Sequence, residues 1–153
     1  MSRMNGRARV VVERIAELVC PPGLREDGLL EPCLREFELH LKCLPPAARR
    51  MTGPGLIVFD EVARLRPSSR GRRFTTLGAE RADAHLHRVL YGQTGLLPTV
   101  VRLTKSLVVM AYYELPEVKR RLGYDPASYV AEVAARRRER YGPAILAAEQ
   151  AQP

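Results

Sequence analysis

The sequence predicts an all-α protein, a single domain of six or seven helices in an irregular bundle. Apolar residues recur at helical spacing in most segments, and prolines and glycines separate these segments. Only one short run, Leu56 to Phe59, is β-rich. The 153 residues, 46% hydrophobic and 27% charged, are enough for one globular core.

The first two helices are marked by their apolar spacing and by the prolines that follow them. Val11, Ile15 and Leu18 predict a helix over residues 8–20, which ends at the turn Cys20-Pro21-Pro22-Gly23. The second helix has an apolar stripe with charged residues off it. Its stripe consists of Leu30, Leu34, Phe37 and Leu41. Pro45-Pro46 closes this helix.

Residues Met51 to Leu65 fit a helix or a strand. Leu56-Ile57-Val58-Phe59 is β-rich, but Phe59, Val62 and Ala63 keep helical spacing, so a helix is preferred. The segment Arg66 to Arg73 contains Pro, Ser, Gly and Arg but nothing apolar, and it is predicted to be an exposed loop.

The next helix is predicted to start at Thr75 or Thr76. Either threonine could be its N-cap, with Phe74 packing back on the first turn as a hydrophobic staple. Four apolar positions belong to this helix: Leu77, Ala84, Val89 and Leu90.

A central buried helix is predicted to follow. Gly92 and Gly95 mark a break before it, and Pro98 suits its first turn. Apolar residues from Val100 to Ala111 lie on most sides of this segment, which indicates burial. It ends at the aromatic pair Tyr112-Tyr113.

The last part of the chain is predicted to form two helices. Pro116 opens a short one, and Gly123 suits its C-terminal cap. Asp125-Pro126 starts another with an inner face of Tyr129, Val130 and Val133, and Gly142-Pro143 stops it. The predicted domain therefore covers residues 8–143, and residues 144–153 are expected to be a flexible tail.

The sequence contains no pattern typical of catalysis, cofactor binding or metal binding. Phosphate, dinucleotide, nucleophile-elbow and HExxH zinc signatures are missing. His85 and His87 are two residues apart, so on a helix they diverge by about 200°. The carboxylate pairs Asp60-Glu61 and Glu114 with Glu117 are expected to be solvated or capping groups. We therefore predict no catalytic, cofactor-binding or metal-binding residue.

The charge leaves two classes of partner open. A formal charge of +8, most of it from Arg, is compatible with nucleic acid and also with protein interfaces, where Arg is enriched. Three Arg clusters would be the phosphate contacts of a basic helical nucleic-acid-binding protein, which is the alternative function. They are the loop at Arg70, Arg72 and Arg73, the run Lys119-Arg120-Arg121, and Arg136-Arg137-Arg138. Consecutive Arg residues on a helix cannot all line one groove.

The cysteines Cys20, Cys33 and Cys43 have no metal-ligand spacing and are predicted to be reduced and structural. Their odd number leaves room for one thiol that bonds a partner chain.

Several segments resemble the gluconate 2-dehydrogenase subunit 3 family, the small subunits of heteromeric glucose-methanol-choline oxidoreductases. These segments are Arg73-Phe74-Thr75-Thr76-Leu77, Glu80-Arg81 and the helix Leu103 to Tyr124. The most specific part is the pattern AYYxxPEVxxxLGY from Ala111 to Tyr124, and the Cys20 to Gly23 turn also fits the family. The resemblance covers roughly Val10 to Tyr124.

The resemblance implies a non-catalytic helical subunit that binds and stabilises a large FAD-dependent sugar or alcohol dehydrogenase. FAD would belong to the partner, and this chain would carry no cofactor. Aromatic residues and Arg are typical of the centre of such an interface. The candidate interface residues are Phe74, Tyr112, Tyr113, Arg120 and Tyr124. For the three tyrosines, a role in this protein's own core is an equally good interpretation.

The N-terminus departs from the family pattern. Many members begin with a twin-arginine export signal, whereas Arg3, Arg7 and Arg9 are not consecutive and Glu13 interrupts the apolar stretch after them. The expectation is a cytoplasmic hetero-oligomer without a membrane span.

Overall fold

The computed structural model describes residues 5–92 and 94–150, with side chains described to residue 145. Within these residues it contains seven α-helices, three short 3-10 turns and no strand, which confirms the all-α prediction. The helices are α1 (Gly6–Val19), α2 (Leu30–Cys43), α3 (Pro46–Val62), α4 (Ala79–Leu90), α5 (Leu96–Glu114), α6 (Pro116–Arg121) and α7 (Pro126–Gln150).

Backbone contacts divide the chain into two compact units. Unit 1 is Met1–Leu115 and unit 2 is Pro116–Pro153. The sequence predicted one domain over residues 8–143. The division into two units does not test that prediction, so it stays a prediction.

The core of unit 1 is built around α5. This helix packs against α1, α2, α3 and α4. Its inward side chains are buried, as predicted for a central helix: Val100, Val101, Thr104, Leu107, Val108 and Ala111. The one hydroxyl in this set is satisfied, since Thr104 Oγ1 donates to the Val100 carbonyl at 2.9 Å.

The ambiguous segment after Pro46 is a helix, so the preference for helix is confirmed. Leu56 and Phe59 of the β-rich run are fully buried, and a 3-10 turn (Ala63–Leu65) continues α3. The helix starts at Pro46, five positions before the predicted start, because proline suits a first helical turn. Pro45-Pro46 therefore both ends α2 and opens α3.

Helices α3 and α5 approach each other closely at Gly55. A Cβ added to Gly55 would lie 2.9 and 3.0 Å from the two methyl groups of Val100. Val100 is buried and β-branched, so it has little rotamer freedom with which to move away.

Gly55→Ala is therefore expected to lower the free energy of unfolding by about 1–3 kcal/mol, although alanine is the better helix former by ~1 kcal/mol. Gly53→Ala is the matched control, because nothing lies within 4 Å of a Cβ at this position in the same helix. Urea denaturation should show Gly53→Ala equal to or more stable than the parent. Equal stability of the two variants would contradict the close approach.

The predicted start of α4 is wrong. Phe74–Thr76 forms a 3-10 turn, and the N-cap of α4 is Gly78, which provides no side-chain cap. Thr75 does not cap α4 because its backbone N–H and its hydroxyl both donate to Asp60 Oδ1, each at 3.0 Å. The inner face of α4 also differs from the prediction, since Ala84 is exposed while Ala82, His85 and Leu86 are buried.

The segment Arg66 to Arg73 is largely exposed, as predicted, and contains a 3-10 turn (Pro67–Ser69). Arg70 follows this turn in the left-handed conformation (φ 49°). Ser69 is the exception to the prediction, because it is buried.

Unit 2 begins as the sequence predicts. Gly123 has φ +64° after α6, and the Tyr124 N–H returns to the Lys119 carbonyl at 2.9 Å. Asp125 caps α7, with Oδ1 accepting from the N–H groups of Ala127 (3.1 Å) and Ser128 (3.2 Å).

The predicted stop at Gly142-Pro143 is wrong, because α7 continues through Pro143 to Gln150. A proline removes one intrahelical hydrogen bond, and the residues after it include several alanines, which favour a helix. The predicted tail thus begins inside a helix, and its last three residues, 151–153, lie outside the described residues.

Candidate functional site

Two of the five predicted interface residues lie in the core of unit 1. Phe74 is fully buried, with ring centroids 4.6 Å from Phe59 and 5.9 Å from His85. Its ring fills the core of unit 1, so the structure shows a core role for Phe74, and its interface role stays a prediction without an exposed surface to support it. Tyr112 is 8% exposed, which favours the core interpretation for this tyrosine.

The other three predicted interface residues are accessible. Tyr113 is 48% exposed and packs edge-on against Tyr112 at 5.2 Å between ring centroids. Arg120 and Tyr124 are exposed in unit 2. These exposures are compatible with an interface role, which stays a prediction.

Unit 2 carries an exposed apolar surface on α7. Large side chains that are 50–66% exposed lie on this helix: Tyr129, Val130, Tyr141 and Ile145. At 100° per residue, these four and Val133 lie within about 160° of arc. We call this set the α7 stripe; Arg137 and Arg140 lie within the same arc.

The α7 stripe corrects the sequence interpretation of this helix. Tyr129 and Val130 were predicted to form an inner face, but both are more than half exposed. The periodicity identified the apolar face correctly but could not show that unit 2 does not bury it within itself. A unit of under ~40 residues is rarely large enough to build a core of its own.

Unit 1 also carries an exposed, largely apolar surface. It is a groove of about 740 Å³ beside the end of α4. Its lining residues are Leu90, Tyr91, Arg102, Lys105, Ser106, Val109 and Met110. Arg102 closes one side, since its Nε donates to the Leu90 carbonyl at 2.7 Å. Sequence reasoning missed this groove because α5, apolar on most sides, was interpreted as a central buried helix; the polar positions Lys105 and Ser106 were the available signal.

A buried polar cluster links α1, α3 and the 3-10 turn at Phe74. Asp60 is 1% exposed, and besides Thr75 it accepts a hydrogen bond from Arg7 Nη2 at 3.3 Å. Arg7 also pairs with Glu61, and this hydrogen bond is the main cause that lowers the pKa of Glu61. Asp60 is thus a buried acceptor for α1 and for the 3-10 turn at Phe74, whereas Glu61 is an ion-pair partner of Arg7; the prediction that the pair is solvated or capping stays a prediction.

His85 lies between two phenylalanine rings next to this cluster. It is 3% exposed, and its ring nitrogens make no well-aligned hydrogen bond within the described residues, although the nearby Phe59 backbone partly opposes the lowering of its pKa. Burial, assisted by the positive charge of Arg66, lowers the pKa of His85 to about 4. His87, in contrast, is exposed beside Tyr91, so the two histidines do not share a site.

Many arginines of unit 1 are paired with carboxylates of the same chain. Arg9 donates to Glu31 at 2.7 Å, and Arg25 donates to Glu17 at 2.6 Å. Glu61 pairs with Arg73 at 3.2 Å. Arg73 is one of the three arginines in the basic loop that the sequence suggested as a phosphate contact. These pairs engage several of the arginines that could otherwise contact phosphate.

All three cysteines are free thiols. Cys20 and Cys33 are buried. The Cys33 thiol donates to the Val108 carbonyl, with 3.7 Å between sulfur and oxygen. Cys43 is exposed and therefore the one thiol of the three that a partner chain could reach.

No protein-family model matches this chain, and neither a curated protein nor a solved structure matches it. Among the described residues, no helix has both the length and the apolar character that crossing a bilayer requires.

Proposed function

We propose that this chain is a non-catalytic helical subunit that binds and stabilises a large FAD-dependent dehydrogenase of the glucose-methanol-choline oxidoreductase type. The observation that carries the proposal is the α7 stripe. The partner class comes from the resemblance, whose most specific part is the segment Ala111 to Tyr124.

The α7 stripe has the composition of a protein interface. Tyrosine is enriched at the centre of interfaces because it buries a ring while its hydroxyl stays hydrogen-bonded. Arg137 and Arg140, in the same arc as the stripe, add a residue type that is also enriched there. Exposed apolar rows of this kind are uncommon on monomers and typically mark a binding surface. A protein partner that covers α7 would remove this apolar area from water.

The alternative, nucleic-acid binding, has less support. Nonspecific affinity for nucleic acid depends on free Lys and Arg side chains that displace counterions. In unit 1 several arginines already bind carboxylates, and on α7 Arg136 pairs with Glu132 at 2.6 Å. An exposed row of tyrosine, valine and isoleucine also fits a protein surface better than a phosphate backbone.

Affinity purification of the tagged full chain from its native host tests the proposal. The parent chain is expected to recover a second protein with a flavin absorbance spectrum, whereas the isolated chain has none. Tyr129→Asp/Tyr141→Asp should reduce recovery of that flavoprotein at least ~10-fold, because each central aromatic of an interface contributes about 2 kcal/mol or more.

The matched control is Ala131→Asp/Ala135→Asp, which adds the same charge at exposed positions of α7 outside the stripe. It should keep the flavoprotein. The proposal fails if the parent chain recovers no flavoprotein or if both double variants lose it equally. Binding of the purified chain to duplex DNA that weakens steeply with salt would instead favour the alternative.

A further inference from the structure

Two helices of unit 1 bring together three side chains that the sequence did not connect. Glu36 and His40 are four residues apart on α2, so they lie on the same face one turn apart. Glu114 is the last residue of α5. His40 Nε2 lies 2.9 Å from Glu114 Oε2, and one donor atom of each of the three residues lies within 4.8 Å of the others.

The backbone beneath these side chains is held by the core. Helices α2 and α5 pack directly against each other, and Phe37 and Ala111 are fully buried in α2 and α5, respectively. The Cys33 thiol also contacts the Val108 carbonyl across this pair. Ligands placed on rigid, packed helices are held more precisely than ligands on loops.

The charges around this cluster favour a cation. Glu36 and Glu114 place two carboxylates close together, and like charges at this distance repel each other. Glu36 is half-buried and has no ion-pair partner within the part of the chain that the structure describes. A divalent cation between the carboxylates would remove the repulsion, and the imidazole would supply a neutral lone pair.

We propose that Glu36, His40 and Glu114 form a binding site for a divalent transition-metal ion of the zinc class. One imidazole with two carboxylates suits Zn²⁺, Co²⁺ or Mn²⁺, whereas Ca²⁺ and Mg²⁺ prefer oxygen ligands alone. Three protein ligands leave a fourth position for water. The site is independent of the proposed partner-binding role.

The surroundings of His40 set the expected affinity. Metal-binding histidines usually donate their second ring N–H to an acceptor, but His40 Nδ1 is buried without a partner among the described residues. Loss of such an outer contact typically weakens binding roughly 10–100-fold. The site should therefore bind Zn²⁺ reversibly and release it to a strong chelator.

Isothermal titration of the chelator-treated full chain with Zn²⁺ tests the site, and the absorption spectrum of the Co²⁺ form reports nitrogen and oxygen ligation. One ion per chain is expected. His40→Gln and Glu114→Gln should each weaken binding at least ~10-fold, in line with the loss of one ligand of three. Zn²⁺ should raise the melting temperature of the parent chain but not of these variants.

The matched controls are His87→Gln and Glu80→Gln, which remove the same groups from exposed positions of α4. They should bind Zn²⁺ like the parent chain. Circular dichroism separates loss of the site from loss of the fold. The proposal is overturned if the parent chain does not bind, or if folded His40→Gln and Glu114→Gln bind as tightly as the controls.

Discussion

Asp60→Ala is expected to lower the free energy of unfolding by about 3 kcal/mol. The substitution removes the acceptor of two Thr75 hydrogen bonds and of Arg7, and it leaves the part-buried Thr75 amide without its acceptor. Hydrogen bonds to charged groups contribute about 1.5–3 kcal/mol each, but Arg7 is partly exposed and regains water. Urea denaturation at neutral pH measures the change.

Two variants separate the hydrogen bonds of Asp60 from its charge. Asp60→Asn keeps one carbonyl oxygen for Thr75 and should be less harmful than alanine. Glu61→Ala removes the neighbouring carboxylate, which is about a third exposed, and should destabilise the protein clearly less than Asp60→Ala, because exposed ion pairs contribute little. If Glu61→Ala were as destabilising as Asp60→Ala, the structural role assigned to the buried carboxylate would be wrong.

Acidification from pH 7 to pH 4 is expected to cost the native state about 3 kcal/mol through His85 alone. The pKa of this imidazole is lowered to about 4 in the folded protein from an ordinary value of 6.5, and one pKa unit corresponds to about 1.4 kcal/mol. Between these values the unfolded chain binds a proton that the folded chain does not. Stability is therefore full above pH 6.5 and falls as the pH drops towards 4.

The contribution of His85 can be isolated by comparing pH profiles. His85→Leu should flatten the decline between pH 6.5 and pH 4, while the remaining slope comes from carboxylates that both proteins share. His87→Leu, at an exposed position of the same helix, should keep the parent profile. A parent profile that matches His85→Leu would show that the buried imidazole is not the cause.

The helices could be predicted because their periodicity is local. Phe59, Val62 and Ala63 indicated α3 in spite of the β-rich run, and Gly123 and Asp125 marked the turn between α6 and α7 correctly. The 3-10 turn at Phe74 could not be predicted in this way. Thr75 in this turn donates its N–H to Asp60, which lies 15 residues earlier in the chain. Local capping rules do not include the competing acceptor that Asp60 offers.

The functional surfaces were only partly predictable for a related reason. An apolar face of α7 follows from its spacing, but whether unit 2 can bury that face within itself depends on the size of unit 2. The cluster of Glu36, His40 and Glu114 combines an i, i+4 pair with a residue 74 positions further along from His40. Sequence spacing could show the pair but not its third member.

The position of α5 in the chain has a consequence for biosynthesis. This helix is the common packing partner of α1 to α4, yet it is the last helix of unit 1 to leave the ribosome. Until Glu114 has emerged, the apolar faces of the four earlier helices lack the surface that buries them. Such exposed intermediates are prone to aggregation, so the nascent chain passes through an interval in which chaperones would protect it.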